Sequence, residues 1–135
     1  MDFGGVNYLA VPVAAVAAFL FGAVYYGGLG KPWMKAAKIK PEDARMEPML
    51  FATSFGCELV MAWVMAGVIG HLGAGQVTLW NGVVSGFFLW LGFMATITAV
   101  NQRYQGFGWD LTLIDAGHWL GVALIMGGII GWWGV

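Results

Sequence analysis

The chain has 135 residues, of which 60% are hydrophobic and 10% charged, and its formal net charge is −1. Soluble domains run near roughly 45–50% apolar and about 25% charged. A soluble domain of this length would bury only about two-thirds of its unfolded surface. Six basic and seven acidic side chains could not then cover eight Trp, nine Phe and eight Met. Soluble globular, disordered and nucleic-acid-binding classes are excluded, the last also because there is no basic field to meet phosphates. The composition is that of an integral membrane protein.

The single cysteine, Cys57, lies in an apolar run. It allows no intrachain disulfide and no thiolate metal cage. The first apolar segment is too long for a signal-peptide core and is preceded by Asp2 instead of a basic region, so it reads as a retained span.

About 20 consecutive apolar residues cross the hydrocarbon core as a helix. Four stretches qualify, at about 6–29, 48–70, 80–101 and 110–133. The expected fold is all-α, a polytopic four-helix transmembrane bundle that uses the whole chain, 1–135, as one domain. Segment 31–47 is a basic loop, and Pro32–Ile39 within it reads either as a short interfacial helix or as irregular chain. Pro12 falls near the start of the first span, where a first-turn position or a kink is tolerated.

Five of the six basic residues (Lys31, Lys35, Lys38, Lys40 and Arg45) are in the first connection, and Arg103 is in the third. The positive-inside rule therefore puts those two loops in the cytoplasm and both termini outside, in the cell (inner) membrane. Aromatic side chains prefer the two interfaces. Tyr8, Trp80, Trp132 and Trp133 fall at the expected outer boundary. Tyr25, Tyr26, Trp33, Tyr104 and Trp109 fall at the inner one, and Lys31, Trp33, Tyr25 and Trp109 are the expected interfacial anchors.

Small residues let membrane helices approach closely. Gly82 and Gly86 form one G-x-x-x-G on the third span, and Gly117/Gly121 and Gly127/Gly131 form two on the fourth. At 100° per residue, Gly117, Gly121 and Gly128 fall within roughly 40° of one another. Such a groove serves either packing within the bundle or self-association into a homo-oligomer.

Polar side chains inside spans carry the functional signal, because an ionisable group in lipid is costly and turns toward the bundle or a wet cavity. Glu58 lies ten residues beyond Pro48, about 15 Å from the boundary. Asp115 lies at about 7–8 Å and His118 at about 12 Å, three residues apart and so on one face of the fourth helix. On span two, Phe51, Ser54, Glu58, Ala62 and Met65 share a face. On span three, Met94, Thr98 and Asn101 share another. These groups describe a polar inlet from the cytoplasm that ends at Glu58. If dry, Glu58 is a neutral acid hydrogen-bonded to a neighbour. If it meets His118 as imidazolium, the pair can relay a proton or bind a cation. Asp115 and His118 read either as part of that site or as caps for loops, and Thr98 and Asn101 as hydrogen bonds between helices.

Other chemistry is poorly supported. His71 and His118 lie at depths too different to clamp one haem, no nucleophile stands beside a base, and the methionines form no soft-metal cluster. No cofactor or metal is expected.

Several motifs are nonetheless specific. Asn7-Tyr8-Leu9-Ala10-Val11, the pair Tyr25-Tyr26 and the block Gly30-Lys31-Pro32-Trp33-Met34 come early in the chain. Trp90-Leu91-Gly92-Phe93, Asn101, Phe107 and Ile114-Asp115-Ala116-Gly117-His118 come late. Together they resemble a set of small bacterial and fungal membrane proteins catalogued as domain of unknown function 1761. The resemblance implies a four-helix membrane fold and brings no established activity. The span bearing Glu58 contributes least to it.

The expected function is a homo-oligomeric small-solute or proton-linked transporter-like bundle. The alternative is an accessory or scaffold subunit of a larger membrane assembly. An intramembrane enzyme using Glu58 and His118 as acid and base is a third reading, less supported because no nucleophile accompanies them.

Overall fold

The computed structural model describes residues 3–134, so Asp2 lies outside the described residues. Among them there is no strand, and four helices are long and apolar enough to cross a membrane: α1 (Ala10–Ala36), α2 (Pro48–Gly70), α3 (Leu79–Tyr104) and α4 (Trp109–Trp133). Local chemistry sets their starts. The Asn7 side chain accepts from the Leu9 and Ala10 amides ahead of α1. Pro48 occupies the first turn of α2, where its missing N–H costs nothing. The Thr78 hydroxyl caps α3 by accepting from the Asn81 amide.

The first helix runs farther than the apolar stretch that ends near Leu29. It passes through Lys31 and Pro32 to Ala36, with Leu29 in a non-helical conformation (φ −105°, ψ 15°). Pro32 has no amide for the preceding turn, so the helix bends there without ending. Trp33 is thereby turned inward, as its hydrogen bond shows below. Segment 31–36 is thus helical beyond a kink at Leu29, in line with the helical one of the two readings of Pro32–Ile39, and 37–39 lie past the helix end. The helix stops at Ala37, and Lys38 takes a left-handed conformation (φ 58°).

The third helix carries a π-helical stretch, Trp90–Ala95. A π turn inserts one residue into the α-helical register, and this one changes which side chains reach the bundle interior.

The helices are packed unequally. α4 is the central element: α1 and α3 rest on it extensively, whereas α2 packs mainly on α1 and only lightly on α4. The core is made of small and medium side chains at the end away from the first loop. Ala14, Ala15 and Ala18 meet Ala62, Ala66 and Ile69, then Val122, Met126 and Ile130. The residues before α1 close that end, where the Phe3 ring stacks on Trp63 at 4.5 Å over the gap left by Gly67.

Glycine makes the α3–α4 contact. A methyl group at Gly82 or Gly86 would run into the Gly127 or Ala123 carbonyl, and one at Gly131 into the Thr78 carbonyl. The stripe of Gly117, Gly121 and Gly128 does not serve one partner. Gly117 and Gly121 lie under Tyr25 and Phe21 of α1, while Gly128 meets Val83 and Leu79 of α3. These glycines are occupied within one chain, because α1 and α3 sit on adjoining sides of α4. They present no free groove for a second copy.

Candidate functional site

At the end bearing the first and third loops the close packing gives way to a cleft among α1, α2 and α4. Its deeper chamber, about 540 Å³, is bounded by Phe19, Tyr26, Phe51, Glu58, His118 and Trp119. A wider outer chamber of about 920 Å³ shares Tyr26, Met46 and Trp119 with it. Trp33, Asp115 and the first loop, including Lys38, Asp43 and Arg45, line the rest. Both volumes fall in the ordinary range for small-molecule pockets.

The helical repeat of α2 places Glu58 at the boundary between core and cleft. Ala62 and Met65, one and two turns further on, are buried in the core, and Phe51 and Ser54 lie along the deeper chamber. Glu58 is 3% exposed and its Oε2 is buried without a hydrogen-bond partner. Opposite it on α4, His118 is 6% exposed and its Nδ1 is likewise buried without a partner. Buried polar groups in folded proteins are almost always paired, so two orphans on residues that line one cavity single it out as the candidate site.

The His118 ring is held by aromatic neighbours. Phe21 lies parallel to it at 6.1 Å, and Tyr25, Tyr26 and Trp119 flank it at 5.7, 4.8 and 4.6 Å. Gly22 completes the seat, since a methyl there would come within 2.8 Å of His118 Nε2. The hydroxyl of Tyr25 donates to the Ile114 carbonyl at 2.7 Å, which pins the ring to α4.

Asp115, three residues before His118, is not a free acid. Tyr26 Oη (2.7 Å) and Trp33 Nε1 (3.1 Å) donate to its Oδ1, and Gln102 Nε2 (2.8 Å) donates to its Oδ2. Gln102 Oε1 in turn accepts from the Thr112 hydroxyl at 2.7 Å, and Arg103 donates to that same hydroxyl oxygen and, at 2.8 Å, to the Gly108 carbonyl. One chain of hydrogen bonds therefore joins the end of α1, the end of α3 and the start of α4. Among the described residues no cation pairs with Asp115. Among the described residues the salt bridge is Arg45–Glu47, at 3.4 Å on the surface.

The site anticipated from sequence is thus brought together in part. Glu58, His118 and Asp115 line one continuous cleft. Asn101 faces out and makes no side-chain hydrogen bond, and Thr98 is half-buried without one. Their place is taken by Gln102 and Thr112, both buried. The π turn is the reason. At 100° per residue Asn101 falls roughly 60° from Gly86 and Gln102 roughly 160°. One inserted residue moves Gln102 into the position Asn101 would have held.

Two of the expected interfacial anchors, half-buried Tyr25 and Trp33, also make contacts within the bundle. Trp33 is a ligand of Asp115, and Tyr25 packs against His118. Lys31 is exposed on α1, and Trp109 is exposed at the start of α4 with the Arg103 guanidinium 3.9 Å above its ring. Trp90 donates to the Ala116 carbonyl at 2.8 Å and fastens the π stretch to α4.

Architecture and site together define a multi-pass, all-helical protein suited to a lipid bilayer, with acid and imidazole groups gathered in a cleft at one end of its bundle. The chain belongs to the family described as Protein of unknown function (DUF1761), which matches residues 9–131 and so takes in all four helices but for the last two residues of α4, and every residue of the cleft. No curated protein and no solved structure matches it.

Proposed function

We propose that this chain is a proton-linked, transporter-like protein of the cell (inner) membrane that admits a small solute from the cytoplasm to Glu58. One observation carries the reading: two ionisable side chains, each more than nine-tenths buried and each with a buried polar atom that has no partner, line one cavity. Intramembrane carboxylates and imidazoles of this kind mark substrate or proton pathways by default. The groups that can exchange charge with Glu58 are His118 of α4 and Tyr26 of α1 in the same chamber, with Asp115 of α4 in the next. The single domain spans 1–135, and both termini lie outside because the Lys and Arg loops stay in the cytoplasm.

The test is proton uptake into proteoliposomes under an imposed pH gradient, read with an internal pH dye. Wild-type protein passes protons faster than protein-free vesicles, and Glu58→Gln abolishes the difference. Equal flux from the two proteins, or none above empty vesicles, overturns the proposal.

The accessory-subunit reading has its own support in α3. This helix rests almost wholly on α4, and its far side exposes Phe88, Leu91, Phe93 and Ile97. That side is also open to self-association, whereas the glycine stripes are occupied within the chain. Native purification separates the outcomes: a lone oligomer of this chain favours the carrier, and a constant co-purifying membrane protein favours the subunit.

A further inference from the structure

Resting on the reading of the cleft as a solute inlet, we infer that the occupant of the chamber between α1, α2 and α4 is a monovalent organic cation with an apolar body. The charge inventory leads there. The cleft contains the acids Glu58 and Asp115, and Asp43 at its mouth. Its fixed cations are at the mouth and are directed elsewhere. Lys38 Nζ donates to the Gly106 carbonyl at 2.9 Å and lies 5.6 Å from the Phe107 ring centre, and Arg45 pairs with Glu47. Inside, Asp115 is satisfied by three neutral donors, while Glu58 Oε2 has none. The unanswered demand of the deeper chamber is therefore for positive charge or for a donor.

Its walls say what should carry that charge. Phe19, Phe51, Tyr26 and Trp119 surround Glu58 and His118. Aromatic faces attract a desolvated cation, most of all one whose charge is spread over a bulky apolar group. A small hydrated metal ion would find one free carboxyl and no cage: the described residues hold no cluster of three His, Cys, Asp or Glu side chains suited to a metal. An anion would meet Glu58 with no fixed positive charge beside it. A neutral apolar molecule would leave Glu58 Oε2 and His118 Nδ1 buried and unpaired, at the usual cost of orphaned polar groups.

The experiment is equilibrium dialysis of the full chain in detergent micelles against two ions of the same shape and opposite charge, tetraphenylphosphonium and tetraphenylborate, with protein-free micelles as background. The phosphonium binds saturably near one per chain, and the borate stays at background. Glu58→Gln weakens phosphonium binding at least tenfold, and Glu58→Asp, which keeps the charge, retains most of it. Thermal unfolding matching wild type in both variants assigns the loss to the site. Equal binding of the two ions, or phosphonium binding unchanged by Glu58→Gln, overturns the inference. Proton flux without phosphonium binding removes the cation alone. Phosphonium binding that depends on Glu58, with no proton flux, removes the proton linkage and leaves the site.

Discussion

The Gln102 side-chain amide donates to Asp115 Oδ2 at 2.8 Å across the α3–α4 interface, from a helix position next to the one whose side chain faces out. That bond ties the end of α3 to the acid that also holds Tyr26 and Trp33 of α1. Gln102→Leu leaves an Asp115 oxygen and the Thr112 hydroxyl each short of a partner, and should destabilise the fold by about 1–3 kcal/mol. Asn101→Ala should change stability by less than about 0.5 kcal/mol. Unfolding midpoints of the two variants in the same micelle check the contrast. Equal effects would mean the π register is not that described.

The glycine contact between α3 and α4 makes a second contrast. At Gly82 an added methyl meets the Gly127 backbone carbonyl, which cannot step aside as a side chain can. Gly82→Ala should destabilise by about 1–3 kcal/mol, the usual range for overpacking. Gly92, on the same helix, has open space where a Cβ would stand, and Gly92→Ala should be neutral or slightly stabilising. Because the contact lies within one chain, the Gly82→Ala effect should not vary with protein concentration. Unfolding curves at two protein-to-detergent ratios test this.

These two cases mark what the sequence could and could not disclose. Hydropathy alone yields four spans, since few apolar runs are long enough to be anything else. The 3.6-residue repeat puts Phe51, Ser54, Glu58, Ala62 and Met65 on one side of α2, and that side borders the cleft and core. What periodicity assumes is an unbroken helix. The π turn at Trp90–Ala95 follows no recognisable signal in Trp-Leu-Gly-Phe-Met-Ala, so Asn101 is read for Gln102. Likewise the apolar run ends near Leu29, whereas the helix resumes past a kink there and runs through Pro32 to Ala36. Trp33 and Tyr25 have the composition of interfacial anchors. Only tertiary contact reveals that one binds Asp115 and the other braces His118. The buried Thr112 was discoverable in principle, as it lies three residues before Asp115 on the same helix face.

Gly22 tests the seat of His118 without touching its chemistry. Gly22→Ala pushes a methyl toward Nε2 and shifts the imidazole within its aromatic surround. Ala is also the better helix former by about 0.8–1.0 kcal/mol, which offsets part of the crowding. The expected result is near-wild-type thermal stability with reduced Glu58-dependent proton uptake. Loss of stability equal to that of Gly82→Ala would instead make Gly22 a packing residue only.

Topology follows from where the cations lie, and single cysteines can read it directly. Cys57 is exposed on α2 and must first be replaced, for which Cys57→Ser serves. In that background Lys40→Cys, in the exposed first loop, should resist a membrane-impermeant maleimide in intact cells and react after permeabilisation. Ala74→Cys, exposed in the short second loop, should react from outside in intact cells. The basis is that translocating a loop with five Lys and Arg is disfavoured, while the second loop has none. The reverse labelling pattern would place the mouth of the cleft, and with it Asp115 and Trp33, on the external side. Glu58 would then be reached from outside, which would overturn the proposed cytoplasmic inlet.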